Sequence, residues 1–542
     1  MEKLWLKNMD SNIPTEIDPD SHSSVWHMAK EAIAKFGDNT AFSNFGAELS
    51  YSDIDRLSAN LAAYLQSELG LQKGDRIAIM CPNILAFPIT LMANLRAGLV
   101  QVNVNPQYTA RELAHQLNDA DTDTIVIFSG STSTLGEIIE KTQIKNIIVV
   151  NLGDFGNETV PSPEIDSGIG QHTLFVDAIS KGAELIARED DIQGDDLLFL
   201  QYTGGTTGLS KGAALSHRNL VANINQFSTA MRQNLVDGEE VVITALPLYH
   251  IFALMVNCLS FFVKGGKNVL ITNPGDMPGF VAELSRWPFT AITGVNTLFN
   301  GLLHTPGFND LDFSTLKIAA GGGTAIQEAI SNKWREATGA HITEGYGLSE
   351  TSPVLTFNQV DPDNFSSSIG VPLPSTDISL RDEDGNEVAV GEPGELCAKG
   401  PQVMRGYWRN EEETKKVTTH DGYFMTGDVA ILTEGGLFKI VDRMKDMIIV
   451  SGFNVYPNEI EAVIANMEGV LESACIGVPS EKTDEAVKLF VVKNKGAEIS
   501  EEDVIEFCRK HLVRYKVPKQ VVFIDAVPKS AVGKILRREL RD

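Results

Sequence analysis

Apolar residues are distributed along this chain in two rhythms. Short, nearly unbroken runs such as Arg76–Met80 (RIAIM), Thr124–Phe128 (TIVIF) and Asn146–Val150 (NIIVV) read as strands buried on both faces. Between them the spacing lengthens to that of a helix. Ser52 reads as an N-cap, with Ile54, Leu57, Leu61 and Leu65 on one face and Gly70 past the end. Helices are predicted from Val25 and over Pro88–Ala97, and a strand over Leu99–Val104. Thr109 with Glu112 forms a capping box for a further helix. Alternation of this kind predicts βαβ units, with parallel sheets covered by helices.

Three stretches break the pattern. Residues 1–24 are polar, carry Pro14 and Pro19, and read as an arm lying on the first domain. Residues 151–195 are turn-rich and read as a surface excursion. The βα alternation resumes at 197, with strands at Leu197–Tyr202, Val241–Ala245 and Lys317–Ala320, and lasts to about 350. From about Ile369 to Val441 come short strands with frequent turns (DEDGNEV, GEPGEL, EGG), predicting a small antiparallel barrel or sheet. After Lys445 an α+β pattern returns. There Pro457 and Asn458, as N-cap with Glu461 three residues on, open a helix with Ile460, Val463, Ile464 and Met467 on one face. The expected fold class is α/β: a large N-terminal domain of βαβ-type sheets with a barrel-like subdomain, then a small α+β C-terminal domain.

Composition narrows this picture. At 542 residues the chain exceeds one hydrophobic core and suggests three or four units. A net charge of −27 argues against a general nucleic-acid binder and against broad adhesion to anionic lipid. Five scattered cysteines (Cys81, Cys258, Cys397, Cys475, Cys508) contain no C-x-x-C and are odd in number, which suits a reducing compartment and no zinc site. The start MEKLWLKNMD has no apolar signal region, and Leu254–Val263 is too short to span a bilayer. The expected location is cytoplasmic, or peripheral on the inner face of the cytoplasmic membrane.

Chemistry concentrates at residues 202–213, YTGGTTGLSKGA. Directly behind a buried strand, Gly204, Gly205, Gly208 and Gly212 let backbone N–H groups approach a polyphosphate. Thr203, Thr206, Thr207 and Ser210 add hydroxyls, and Lys211 a mobile charge. A Walker A loop would need Gly before Lys and Ser or Thr after it, and here Ser210 and Gly212 flank Lys211. Gly208–Gly212 is a literal G-x-S-x-G, but the serine lies deep in a polar loop rather than at a sharp strand-to-helix elbow. Glu344–Thr351 reads EGYGLSET: glycines for close approach, Tyr346 as a flat face for a base, and Glu350 as a hard oxygen for Mg²⁺. Gly321-Gly322-Gly323 follows a buried strand, but Ile326 stands where a dinucleotide fingerprint needs its third glycine. Asp428 in Thr426-Gly427-Asp428 can accept two vicinal hydroxyls. His250 in the turn PLYH and Lys534 in VPKSAVGKILRREL, a loop entering a basic helix, are ordinary residues when read alone.

The 202–213 loop resembles the phosphate-binding signature of the adenylate-forming superfamily: acyl-CoA synthetases, carrier-protein-loading adenylation domains and beetle luciferases. Residues 441–461 (VDRMKDMIIVSGFNVYPNEIE), with 421–440, resemble the signature block of fatty acyl-CoA synthetases, and the likeness runs from the Trp5 region to Arg541. Among bacterial members it is to the long-chain fatty acid–CoA ligases of beta-oxidation.

The resemblance implies ATP, Mg²⁺ and coenzyme A as cofactors and co-substrates. Tyr202–Gly212 would hold the phosphates, and Gly321, Gly322 and Gly323 would wall the adenine pocket. Glu344, Gly345, Tyr346, Gly347 and Ser349 would border the nucleotide, and Glu350 with Thr203 would bind the metal. Asp428 and Arg443 would hold ribose, His250 would line the acyl carboxylate site, and Lys534 would be the adenylation lysine. Lys445 would be the hinge between domains 1–442 and 446–542, with 443–445 as linker. Ser451, Gly452 and Phe453 would meet CoA after rotation. The implied reaction is activation of a fatty acid to acyl-AMP, then transfer to CoA. An amino-acid-loading adenylation domain, a luciferase-like oxygenase and a non-enzymatic fatty-acid binder are the rival readings. No Asp beside His250 offers to hold a substrate ammonium, which weakens the first. The family also allows peripheral membrane contact and a homodimer.

Overall fold

The computed structural model describes residues 3–157, 159–203, 210–361, 363–451, 453–480, 483–530 and 533–541. Strand periodicity sorts one five-residue run into two layers. Ile77 and Ile79 of Arg76–Met80 pack in one cluster with Phe87 and Ile89, while Ala78 and Met80 join Leu113, Leu117 and Leu135 on the other face. The first sheet has seven strands, in the order Thr173–Leu174, Asn146–Val150, Thr124–Phe128, Arg76–Met80, Val100–Asn103, Leu197–Thr203, Lys211–Ser216. All pairings are parallel except the last.

A second sheet of nine strands is parallel through Thr40–Asn44, Lys267–Leu270, Val241–Thr244, Ala291–Gly294, Ile318–Gly321 and Ile342–Gly347, with antiparallel strands at both ends. Helix Ala86–Ala97 is buried at every residue, and it shares one core with Ile77 and Phe199 of the first sheet and Ile243 and Ile292 of the second. A helix apolar all round needs such an internal layer. It stops at Gly98, whose φ of 63° is left-handed.

The predicted antiparallel region is a four-stranded sheet: Asp377–Arg381, Gly394–Lys399, Phe424–Leu432 and Phe438–Arg443. Trp5 is buried against it, its ring centroid 5.3 Å from that of Phe438, so the N-terminal arm is anchored here. Residues after 446 build a separate five-stranded sheet with helices Pro457–Ile464 and Glu501–His511 and a core of its own, including Ile448, Ile460, Leu489 and Val521. The α/β two-part fold class is thus observed. No helix of the described residues is long and apolar enough to cross a membrane. All five cysteines are free and buried.

Four local expectations are corrected. Ser50, not Ser52, caps helix Tyr51–Ser67, in a reciprocal box with Asp53. The 151–195 stretch is not all surface: it contributes helix Phe175–Gly182, with Phe175 fully buried. Asn458 is not a cap, since helix Pro457–Ile464 begins after Tyr456 and Glu461 is drawn to Arg537 at 2.9 Å instead. The segment after Lys534 forms a single 3-10 turn, Arg537–Leu540, rather than a basic α-helix.

Candidate functional site

Strand Leu197–Thr203 turns back on Lys211–Ser216, with Thr203 opposite Lys211, so the glycine-rich loop closes a β-hairpin. The second strand of that hairpin, Lys211–Ser216, carries no strand signature in the sequence. Gly204, Gly205, Thr206, Thr207 and Gly208 lie outside the described residues. Tyr202 corrects an expectation. Its ring belongs to the outer core of the first sheet and its hydroxyl donates to Asp119 Oδ2 at 2.6 Å, so it braces the hairpin from behind. Gly212 is small for that ring, which a Cβ would meet at 3.1 Å. The Ser210 carbonyl accepts from His115 at 2.8 Å.

Lys211 pairs with Glu413 on the short helix Glu411–Lys416, and its ammonium lies 5.0 Å above the Tyr407 ring. Hydrogen bonds from Lys211 and Lys416 hold the Glu413 carboxyl down to about 2. Tyr407 in turn donates its hydroxyl to Glu350 Oε1 at 2.9 Å. One tyrosine therefore joins the phosphate-loop lysine to the candidate metal carboxylate. Neither Tyr407 nor Glu413 was anticipated; the only signal is the aromatic pair in GYW before an acidic run.

The wall of the site comes from the second sheet. Gly322 and Gly323 line a small cavity with Leu246, Pro247, His250, Phe252, Val295 and Lys534. Gly323 has φ +76°, and a Cβ there would lie 3.7 Å from Lys534 Cε. Gly321 is one layer back, where a Cβ would fall 2.5 Å from Ile326. Gly345 and Gly347 answer to packing as well: their added Cβ atoms would approach Phe357 at 2.6 Å and the Pro353 carbonyl at 1.8 Å. Glu344 lies behind the wall. Its Oε1 accepts from Ile326 N–H at 2.8 Å, and burial raises the carboxyl to about 8. Ser349 opens the 3-10 turn Ser349–Thr351 that presents Glu350.

Asp428 is buried with both oxygens engaged. Tyr346 donates to Oδ2 at 2.7 Å, and Arg443, its register partner on the next strand, lies 3.2 Å from Oδ1. The structure thus brings Tyr346, Asp428 and Arg443 together. His250 sits in a turn fixed by Asn83, whose amide donates to the Thr244 and Leu246 carbonyls at 3.0 and 2.9 Å and whose oxygen accepts from Leu248 N–H at 2.8 Å. Burial, with Lys534 beside it, pushes the imidazole down to about 3, so it is neutral at ordinary pH.

Lys534 crosses to this cavity from the C-terminal domain. A tight turn presents it: Ser530 Oγ accepts its N–H at 3.1 Å, and its carbonyl accepts from Ser530 N–H at 2.8 Å. Burial lowers the ammonium to about 8, Arg443 adding to the shift, while Asp428 and Glu350 oppose it. Lys445 lies exposed in the 3-10 turn Met444–Asp446 between the two domains. Ser451 and Phe453 are exposed on the hairpin Ile448–Val450/Phe453–Val455, Phe453 stacking on Tyr515 at 4.8 Å, and the structure does not bring them to the cavity. Gly452 lies outside the described residues.

A metal that arrives with a polyphosphate needs only one or two protein carboxylates. The buried Glu350 carboxylate fits that demand, and strand Leu197–Thr203 packs against its turn. No cluster of three His, Cys, Asp or Glu among the described residues would hold an ion unaided.

The AMP-binding enzyme family matches residues 29–408, and the AMP-binding enzyme C-terminal domain matches 459–534. A long-chain-fatty-acid–CoA ligase of Yersinia pestis is 51% identical, covering 100% of this chain and 98% of that protein. One of Salmonella typhimurium is 49% identical with the same coverage. The crystal structure of ATP-bound MatB from Rhodopseudomonas palustris superposes with a TM-score of 0.83, at 31% identity, over 95% of this chain and 98% of that one.

Proposed function

The chain belongs to the AMP-binding enzyme family, and from that premise we propose how its residues divide the work of a long-chain fatty acid–CoA ligase. The enzyme activates a long-chain fatty acid with ATP to acyl-AMP and pyrophosphate, then transfers the acyl group to coenzyme A and releases AMP. The observation carrying the assignment is that Lys534, from the C-terminal domain, lines one cavity with His250, Gly322 and Gly323. In this reading residues 1–442 bind both first substrates, 443–445 form the hinge and 446–542 move.

The fatty carboxylate attacks the α-phosphorus, and the bond to pyrophosphate breaks. Lys534 spans the carboxylate and the phosphate oxygens, where negative charge collects; preorganised charge of this sort accelerates attack at phosphorus. Neutral His250 borders the carboxylate without neutralising it. Lys211 leaves Glu413 for the leaving phosphates. Tyr346, Asp428 and Arg443 hold the ribose side, and Gly322 and Gly323 admit the base. Glu350 and Thr203 would hold Mg²⁺, which offsets phosphate charge when bound. In the second half-reaction the CoA thiol attacks the acyl carbon, and the acyl–phosphate oxygen bond breaks. Lys534 has then left, and the Ser451–Phe453 hairpin has taken its place.

The test is Lys534→Ala. Fatty-acid-dependent ATP–pyrophosphate exchange should fall about 100-fold or more, while thioester formation from supplied acyl-AMP stays within about twofold. Equal loss of both halves would show that Lys534 is structural.

A further inference from the structure

Inside the N-terminal domain, side-chain amides form a buried row that no step above uses. Asn94, on the helix between the sheets, donates to Gln101 Oε1 at 3.1 Å. Gln101 donates to Asn103 Oδ1 at 2.7 Å, and Asn103 to Gln201 Oε1 at 3.0 Å. Gln201 donates to the Tyr249 carbonyl at 2.9 Å. All four amides are at most 4% exposed. Gln116 steadies the middle, donating to the Asn103 backbone carbonyl at 2.7 Å.

The row has a direction. Each amide from Gln101 onward accepts from the one behind and donates to the one ahead, and the last donation leaves the first sheet. Asn103 and Gln201 are register partners on adjacent strands, so strand pairing sets the spacing. Tyr249 belongs to the turn after strand Val241–Thr244 of the second sheet, one residue before His250. Gln201 stands two residues before Thr203, where the phosphate hairpin begins.

Burying four amides in an apolar layer is costly unless each is paired, and apolar side chains of similar size would fill the space. The far end of the row shows the cost directly, because Asn94 Oδ1 is buried with no hydrogen-bond partner among the described residues. Such a row is worth keeping for what its near end holds. Consecutive amides also polarise one another, which strengthens the terminal bond.

We propose that Gln201 is a positioning residue for adenylation: through the Tyr249 carbonyl it holds the His250 turn in register with the phosphate hairpin. The acyl carboxylate and the α-phosphate then meet at the distance in-line attack requires. This inference rests on His250 bordering the carboxylate. Gln201 touches neither substrate, so its loss should act on turnover rather than on nucleotide binding.

The experiment uses the full-length enzyme and fatty-acid-dependent pyrophosphate exchange. Gln201→Leu removes the amide at similar size. If that variant does not melt cooperatively, Gln201→Asn keeps polarity and loses only reach. Either should lower kcat about tenfold or more with the KM for ATP within about twofold, and leave acyl transfer from supplied acyl-AMP unchanged. His250→Ala and the Gln201→Leu/His250→Ala double variant complete a cycle, and the double variant should be no slower than His250→Ala by more than about twofold. Exchange at the full rate in a folded Gln201 variant overturns the proposal, and so do fully additive losses in the cycle. A loss in His250→Ala with none in the Gln201 variants sinks the row alone. Wild-type exchange in His250→Ala removes the His250 reading, and the proposal with it.

Discussion

The two domains supply the same site in opposite ways. The N-terminal domain offers walls: glycines too crowded to accept a side chain, a turn pinned by Asn83, and carboxylates already paired with Tyr346, Arg443 and Tyr407. The C-terminal domain offers the Lys534 ammonium, anchored to Ser530, from a body with its own core. Between them the docking is narrow. Gly533 passes so close to Val295 that a Cβ would meet its Cγ2 at 2.8 Å, and Asp442 Oδ2 accepts from Asn458 N–H at 2.9 Å. A prebuilt wall with a delivered cation suits the two-step division proposed above, in which the cation serves the first step and withdraws for the second.

Perturbing the delivery should therefore affect the first half-reaction alone. At the docking seam itself the largest effect is expected at Gly533→Ala, second in size to loss of Lys534 itself. Its φ of +76° and the contact with Val295 both resist a methyl group. A left-handed alanine costs about 1–2 kcal/mol before any clash, so exchange should fall at least about tenfold. Acyl transfer from supplied acyl-AMP should hold; parallel loss of both would mean the domain itself had been damaged.

Perturbing the wall should change ligand demand instead. Glu350→Gln keeps the shape and the Tyr407 contact but removes the charge, so half-maximal exchange should need about tenfold more Mg²⁺. An unchanged Mg²⁺ titration would take Glu350 out of the metal site.

The smallest effect is graded by pH. Burial lowers the Lys534 ammonium to about 8, and the role proposed for it uses the charged form. Exchange kcat/KM should therefore be full below pH 8 and decline as pH rises through about 8. Lys534→Arg should be slower but lose this alkaline limb, since guanidinium stays charged. A limb that persists in the arginine variant belongs to another group.

The same contrast explains what the sequence made legible. Strands Arg76–Met80, Thr124–Phe128 and Asn146–Val150 were readable to the residue, because burial on both faces writes a continuous apolar run. The Thr109 capping box was readable because both partners lie within one turn. What escaped depends on distant partners. Glu461 looked like a capping residue until Arg537, 76 positions away, claimed it. Tyr202 looked like part of the phosphate loop, but its hydroxyl belongs to Asp119. Tyr407 and Glu413 meet Lys211 across about 200 residues, and nothing local marks them. Lys534 stands out in the sequence only through family resemblance, since a lysine after a glycine carries no chemistry of its own. Folding gives it one by seating it beside His250.

Service of one site by two orientations of the C-terminal domain requires a hinge free to turn, and a change at Lys445 probes that freedom. Lys445 lies in a 3-10 turn, whose φ range includes the −65° that proline imposes. Lys445→Pro should therefore keep the orientation seen here and resist the other. Exchange and CoA thioester formation would be measured on one preparation, with thermal melting as the folding control. Exchange is expected within about threefold of wild type, and thioester formation is expected to fall about 100-fold or more. Thioester formation at the wild-type rate would contradict service by two orientations.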